Sequence, residues 1–61
     1  MAWVKLHPFD GLGSTWINLD NIAEMFWVED QEATRMYAPN GDLIQSVKET
    51  PGEIIAQASG N

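Results

Sequence analysis

Residues Ala33 to Ile55 read ATRMYAPNGDLIQSVKETPGEII, and this stretch decides the fold. Ala33 to Ala38 has the alternation of a strand, with Thr34 and Met36 on one face and Arg35 and Tyr37 on the other. Pro39-Asn40-Gly41-Asp42 follows as a tight turn: proline presets the first turn angle, and Asn-Gly accepts positive φ at little steric cost. A returning strand spans Leu43 to Lys48, and its imperfect alternation predicts burial on both faces or a bulge. Thr50-Pro51-Gly52-Glu53 then starts a helix. Thr50 caps it, Pro51 takes the first position where a missing donor is harmless, and Glu53 completes a capping box. The helix carries Ile54, Ile55, Ala56 and Ala58 and stops at Gly60.

Working back from this unit, Ala2 to His7 reads as a first strand that Pro8 terminates, with Val4 and Leu6 facing one way and Trp3, Lys5 and His7 the other. A glycine-bearing loop, Phe9 to Ser14, leads to a second strand, Thr15 to Leu19, which shares Ile17 with the core and turns Trp16 outward. Asp20-Asn21 forms a single helical turn or a bend. Ile22 to Glu29 fits a helix that buries Ile22, Met25 and Phe26. It also fits a strand, and the run Phe26-Trp27-Val28 favours a strand from about Ala23. That strand would put Ile22, Phe26 and Val28 on the core side and Met25 and Trp27 on the other. Glu29 to Glu32 closes the hairpin.

The expected fold is therefore a small β-rich (β+α) domain of four or five mainly antiparallel strands with one short C-terminal helix. It spans residues 1–58, and 59–61 form a frayed tail. A chain of 61 residues buries only about 60% of the surface its unfolded form exposes. Such domains usually need a disulfide, a metal or a partner. There is no cysteine, which removes disulfides and suits a cytoplasmic setting, and the single histidine, His7, is too little for a structural zinc site. A homo-oligomer is what remains. No segment resembles a signal peptide or a membrane span.

The formal charge is −6, with nine acidic residues against Lys5, Arg35 and Lys48. So few cations cannot neutralise a phosphate backbone or hold an anionic membrane, which leaves a protein or a small molecule as partner. Carboxylate spacings such as Glu29-Asp30-Glu32 match no calcium loop, and His7 has no cysteine or evident serine to activate. No catalytic residue, cofactor or metal site is expected.

If the core takes Val4, Leu6, Ile17, Ile22, Phe26, Val28 and Met36, the other side still presents Trp3, Trp16, Met25, Trp27 and Tyr37. That is more aromatic area than a soluble monomer usually exposes. It is core if the sheet curls into a barrel or the helix covers it, and otherwise an oligomer interface or a pocket. The interface candidates are Trp16, Met25, Trp27, Ile54 and Ile55. The ligand or partner candidates are Arg35, Tyr37, Trp27, Trp3 and His7. Arg35 has two readings: a fork for a carboxylate or phosphate beside aromatic rings, or a salt bridge to Glu24, Glu29 or Asp30.

The order VKL, FDG, WINLDNI, a β segment, T-R-M-Y, P-N-G and V-K-E-T resembles the FlbD-type small proteins associated with flagellar and swarming motility. Asn18, Ile22, Thr34, Asn40, Gly41, Val47, Glu49 and Thr50 fall on that family's landmarks, across Val4 to Ile55. The loop Phe9 to Ser14 is longer here, and the tryptophans are additional. The resemblance implies the fold and a non-catalytic accessory role, and it brings no catalytic residues. The strand–hairpin–helix order is also similar to part of LytTR DNA-binding domains, whose basic recognition loops are missing here. The functional expectation is a non-catalytic, homo-oligomeric binding or regulatory module acting through its aromatic face on a protein partner. The alternative is sequestration of a small planar anionic ligand, such as a nucleotide signal, at a subunit interface.

Overall fold

The computed structural model describes residues 3–59. Its elements are β1 (Trp3–Leu6), β2 (Thr15–Asn18), a 3₁₀ turn (Leu19–Asn21), β3 (Glu24–Val28), β4 (Ala33–Tyr37), β5 (Leu43–Val47) and α1 (Pro51–Ser59). The five strands, two antiparallel sheets and one short helix are the β-rich fold that the patterning predicts. Ala2 and Gly60, the expected first strand residue and helix stop, lie outside the described residues. Ser59, expected in the frayed tail, belongs to α1, where its hydroxyl donates to the Ile55 carbonyl at 2.7 Å.

One sheet pairs β1 with β2, and the other runs β3-β4-β5. They are stitched together past the end of β1. Pro8 bridges to Val47, the Lys48 amide donates to the His7 carbonyl, and the Phe9 amide donates to the Ser46 carbonyl. Pro8 can sit at this junction because its missing donor falls between two bonds made by its neighbours. The chain thus leaves β2 and continues alongside β5. A nearer stretch of the same β1 edge is closed by α1: the Gln57 side chain accepts from the Lys5 amide at 2.7 Å and donates to the Lys5 carbonyl at 3.2 Å.

The core lies between these layers and contains Val4, Leu6, Ile17, Met36, Val47 and Ile54, with Leu19, Ile22, Met25 and Ala58 packed against it. Local signals set each boundary. Asn18 caps the 3₁₀ turn by accepting from the Asp20 amide. Gly41, at φ 93°, lets the Ala38–Asp42 turn close. Thr50 and Glu53 exchange the two bonds of a capping box, at 3.1 and 2.8 Å. The ladder between β4 and β5 shifts register between Met36 and Tyr37, which is the bulge that the uneven pattern of β5 implies.

The faces of β3 are reversed from expectation. Met25 pairs with Met36 and Trp27 with Thr34, so both lie on the core side, whereas Phe26 pairs with Arg35 and is 53% exposed. The expected parity was carried forward from Ile22, but residues 22 and 23 are not part of a strand, and the break resets the alternation. Ile22 still packs on the core, from the linker. The single aromatic side expected from Trp3, Trp16, Met25, Trp27 and Tyr37 is accordingly divided among three surfaces.

Candidate functional site

The outer face of β3-β4-β5 is centred on Arg35. Cross-strand pairing puts Phe26 on one side of it and Ser46 on the other, and Tyr37 stands opposite Leu43 at the bulged end. The side chain directly across a ladder has its Cβ about 5 Å away, so these residues form one continuous patch. Leu43 and Ile44 are both about half exposed, since the bulge turns both outward where regular alternation would bury one. Phe9 is brought to the rim by its bond to Ser46. The result is an open cleft of about 380 Å³ between the Phe9-Asp10 turn and the strands, lined by Arg35, Gln31, Leu43 and Ile44 among others.

Among the described residues, no carboxylate lies within salt-bridge distance of Arg35, and its guanidinium makes no hydrogen bond. The expected ion pair with Glu24, Glu29 or Asp30 is therefore not formed. Glu24 is at the far end of its strand, opposite Tyr37, while Glu29 and Asp30 lie in the hairpin turn beyond Val28. Asp10 lines the same cleft as Arg35 without bonding to it. A half-buried cation with five donors and no partner among the described residues, flanked by exposed apolar groups, is equipped to take a carboxylate or another anion that has an apolar body.

The other candidates are dispersed. Trp27 is on the opposite side of its sheet from Arg35 and lines a separate open groove with Glu29, Glu32 and Lys48. Trp3 and Trp16 are exposed on the outer face of β1-β2, across the ladder from Asn18 and Lys5 respectively. Met25 is partly buried against the core, and Ile54 is fully buried in it and presents no surface to a second chain. Ile55, its neighbour, is exposed. Of the residues expected to bind a ligand or partner, Arg35 and Tyr37 share the outer face of β3-β4-β5, while Trp3 and His7 lie on the exposed side of the β1 segment and Trp27 on neither.

His7 is engaged by Glu49. One carboxylate oxygen accepts from the His7 amide at 3.0 Å, and the other lies 2.6 Å from the ring Nδ1. A carboxylate at that distance requires the proton on Nδ1. Burial raises the Glu49 carboxyl, but the bonds from the His7 amide and ring, its own backbone N–H and the charge of His7 outweigh it and hold the group below its usual 4.5. Glu49 is held in turn from behind, because the buried Thr34 hydroxyl donates to its carbonyl at 2.6 Å. This places His7 in a structural clamp between β1 and the β5–α1 junction. Among the described residues, no three His, Asp or Glu side chains gather as metal ligands, and no helix is long and apolar enough to cross a membrane.

The contributions missed from sequence are Phe26, Leu43, Ile44 and Phe9. The length of the 29–32 turn contained the signal for Phe26, since a hairpin closed by Val28 and Ala33 must pair Phe26 with Arg35. No family model matches this chain, and no curated protein or solved structure matches it.

Proposed function

We propose that this chain is a non-catalytic, homo-oligomeric binding module that engages a protein partner through the outer face of β3-β4-β5. The observation that carries this reading is Arg35, a cation without a partner among the described residues, set among exposed Phe26, Leu43 and Ile44. Arginine and aromatic side chains are the groups most often responsible for binding energy at protein interfaces. The net charge of −6 favours a partner that brings one carboxylate over one that brings several phosphates. The resemblance to FlbD-type proteins supports a regulatory or motility-accessory setting, and the absence of cysteine suits the cytoplasm.

Arg35, beside Phe9 in the same cleft of about 380 Å³, supports a second reading, in which that cleft holds a planar anion such as a nucleotide at a subunit interface. Sedimentation combined with thermal melts against a nucleotide panel separates the two. An oligomer with no nucleotide-dependent shift supports the protein-binding module. A shift that Arg35→Ala removes while the oligomer persists supports the sequestering one. A monomer at every concentration, with no shift from any nucleotide, sinks both.

A further inference from the structure

The outer face holds two opposite charges that line one cleft and do not meet. Asp10 and Arg35 both border it, and neither forms a hydrogen bond or ion pair among the described residues. Two residues beyond Asp10, Leu12 is completely exposed at the tip of the Phe9 to Ser14 loop, so this loop offers a carboxylate and an aliphatic side chain almost together. Across the cleft stand the complementary groups, the Arg35 guanidinium beside Leu43 and Ile44. A surface that carries both halves of a complementary pair, each unused, satisfies the requirement of an isologous contact, where residue i meets j and j meets i.

We propose that the protein partner at the Arg35 face is a second copy of this chain, related by a two-fold axis. Asp10 of each copy pairs with Arg35 of the other, and Leu12 of each covers Leu43 and Ile44 of the other. This rests on the binding-module reading and specifies its partner. The available surface is sufficient. A stable interface takes about 800 Å² from each partner, roughly a fifth of the 4086 Å² this chain exposes. Of the eight large apolar side chains exposed among the described residues, five (Phe9, Leu12, Phe26, Leu43 and Ile44) belong to this face or its loop. A dimer that covers them would supply the staple that a cysteine-free domain of this size lacks.

Charge exchange tests the contact. Sedimentation equilibrium of the wild-type chain is expected to give twice the 6.8 kDa chain mass. Arg35→Asp and Asp10→Arg, each folded by circular dichroism, are expected to weaken self-association at least tenfold. The double exchange, Arg35→Asp with Asp10→Arg, is expected to restore it. Leu12→Ser changes a side chain that is fully exposed, so it should preserve the fold and weaken the dimer. A wild-type dimer indifferent to these changes overturns the two-fold contact and leaves the module reading intact. Single exchanges that lower the melting temperature of a monomer without changing its mass overturn it too, by showing that Asp10 and Arg35 pair within one chain. A wild-type monomer overturns it as well, and with it the homo-oligomeric part of the module reading.

Discussion

The side-chain amide of Gln57 pairs with the backbone of Lys5 as a neighbouring strand would, accepting from its N–H and donating to its C=O. An exposed strand edge left unpaired invites association with other chains. Here a helix residue closes it.

Gln57→Leu should therefore act on β1 more than on α1. Losing both bonds is expected to cost about 1–2 kcal/mol. Amide exchange should accelerate at Lys5, the donor in one of the two bonds. A chain whose Lys5 amide exchanges at the wild-type rate in this variant would show that the bond contributes nothing in solution.

Glu49 makes stability depend on acid. Its folded carboxyl lies below the ordinary 4.5, so between the two values the unfolded chain binds more protons than the folded one. Its contribution is complete above the unfolded value and disappears as pH falls through the folded one. Glu49→Gln should lower the neutral-pH melting temperature and flatten the pH dependence below about 4.5, with a loss of about 1–3 kcal/mol at neutral pH. Equal pH slopes for the two proteins would refute this assignment.

Two turn positions should respond in opposite directions. Glu32 adopts φ 52°, where side chains are strained, so Glu32→Gly is expected to raise the urea midpoint by about 0.5–1 kcal/mol in stability. Gly41, at φ 93°, has nothing within 4 Å of an added Cβ, so any loss in Gly41→Ala is purely conformational and should be about 1 kcal/mol.

Adjacent isoleucines should differ sharply. Ile54 is fully buried and Ile55 is not. Ile54→Ala is expected to cost about 2–5 kcal/mol, which approaches the whole stability of a domain this small. Ile55→Ala should stay within about 0.5 kcal/mol. Chemical denaturation of the two variants side by side decides it.

The helix start at Thr50 should be separable from the rest. Thr50→Ala or Glu53→Ala removes one bond of the reciprocal pair, and each is expected to cost about 1 kcal/mol. The far-UV helical signal should fall before the sheet signal does.

Most of this architecture could be read from the chain because its signals are local. The Pro39 to Asp42 turn, the capping box and the alternation of β1, β2 and β4 each depend on residues within a few positions of one another. The face of β3 is not legible locally, because three consecutive apolar residues, Phe26 to Val28, satisfy either parity, and only the pairing across the 29–32 turn sets it. The site was less accessible still. Arg35 and Tyr37 follow from their own strand, but Phe9 arrives through a bond to Ser46, and His7 is taken by a carboxylate 42 positions away. No local pattern encodes such meetings.

The passage of the first strand from β2 to β5 and α1 also sets the order in which the molecule can be made. Residues 5 and 57 are 52 positions apart. Closing such a distant contact is entropically slow. During synthesis β1 and β2 emerge first and must wait with an open edge until Lys48, Glu49 and Gln57 have left the ribosome. The hazard of misassociation is therefore greatest in the nascent chain. A stalled chain truncated before Val47 should accordingly be protease-sensitive throughout β1, and one extended past Gln57 should become protected in a single step.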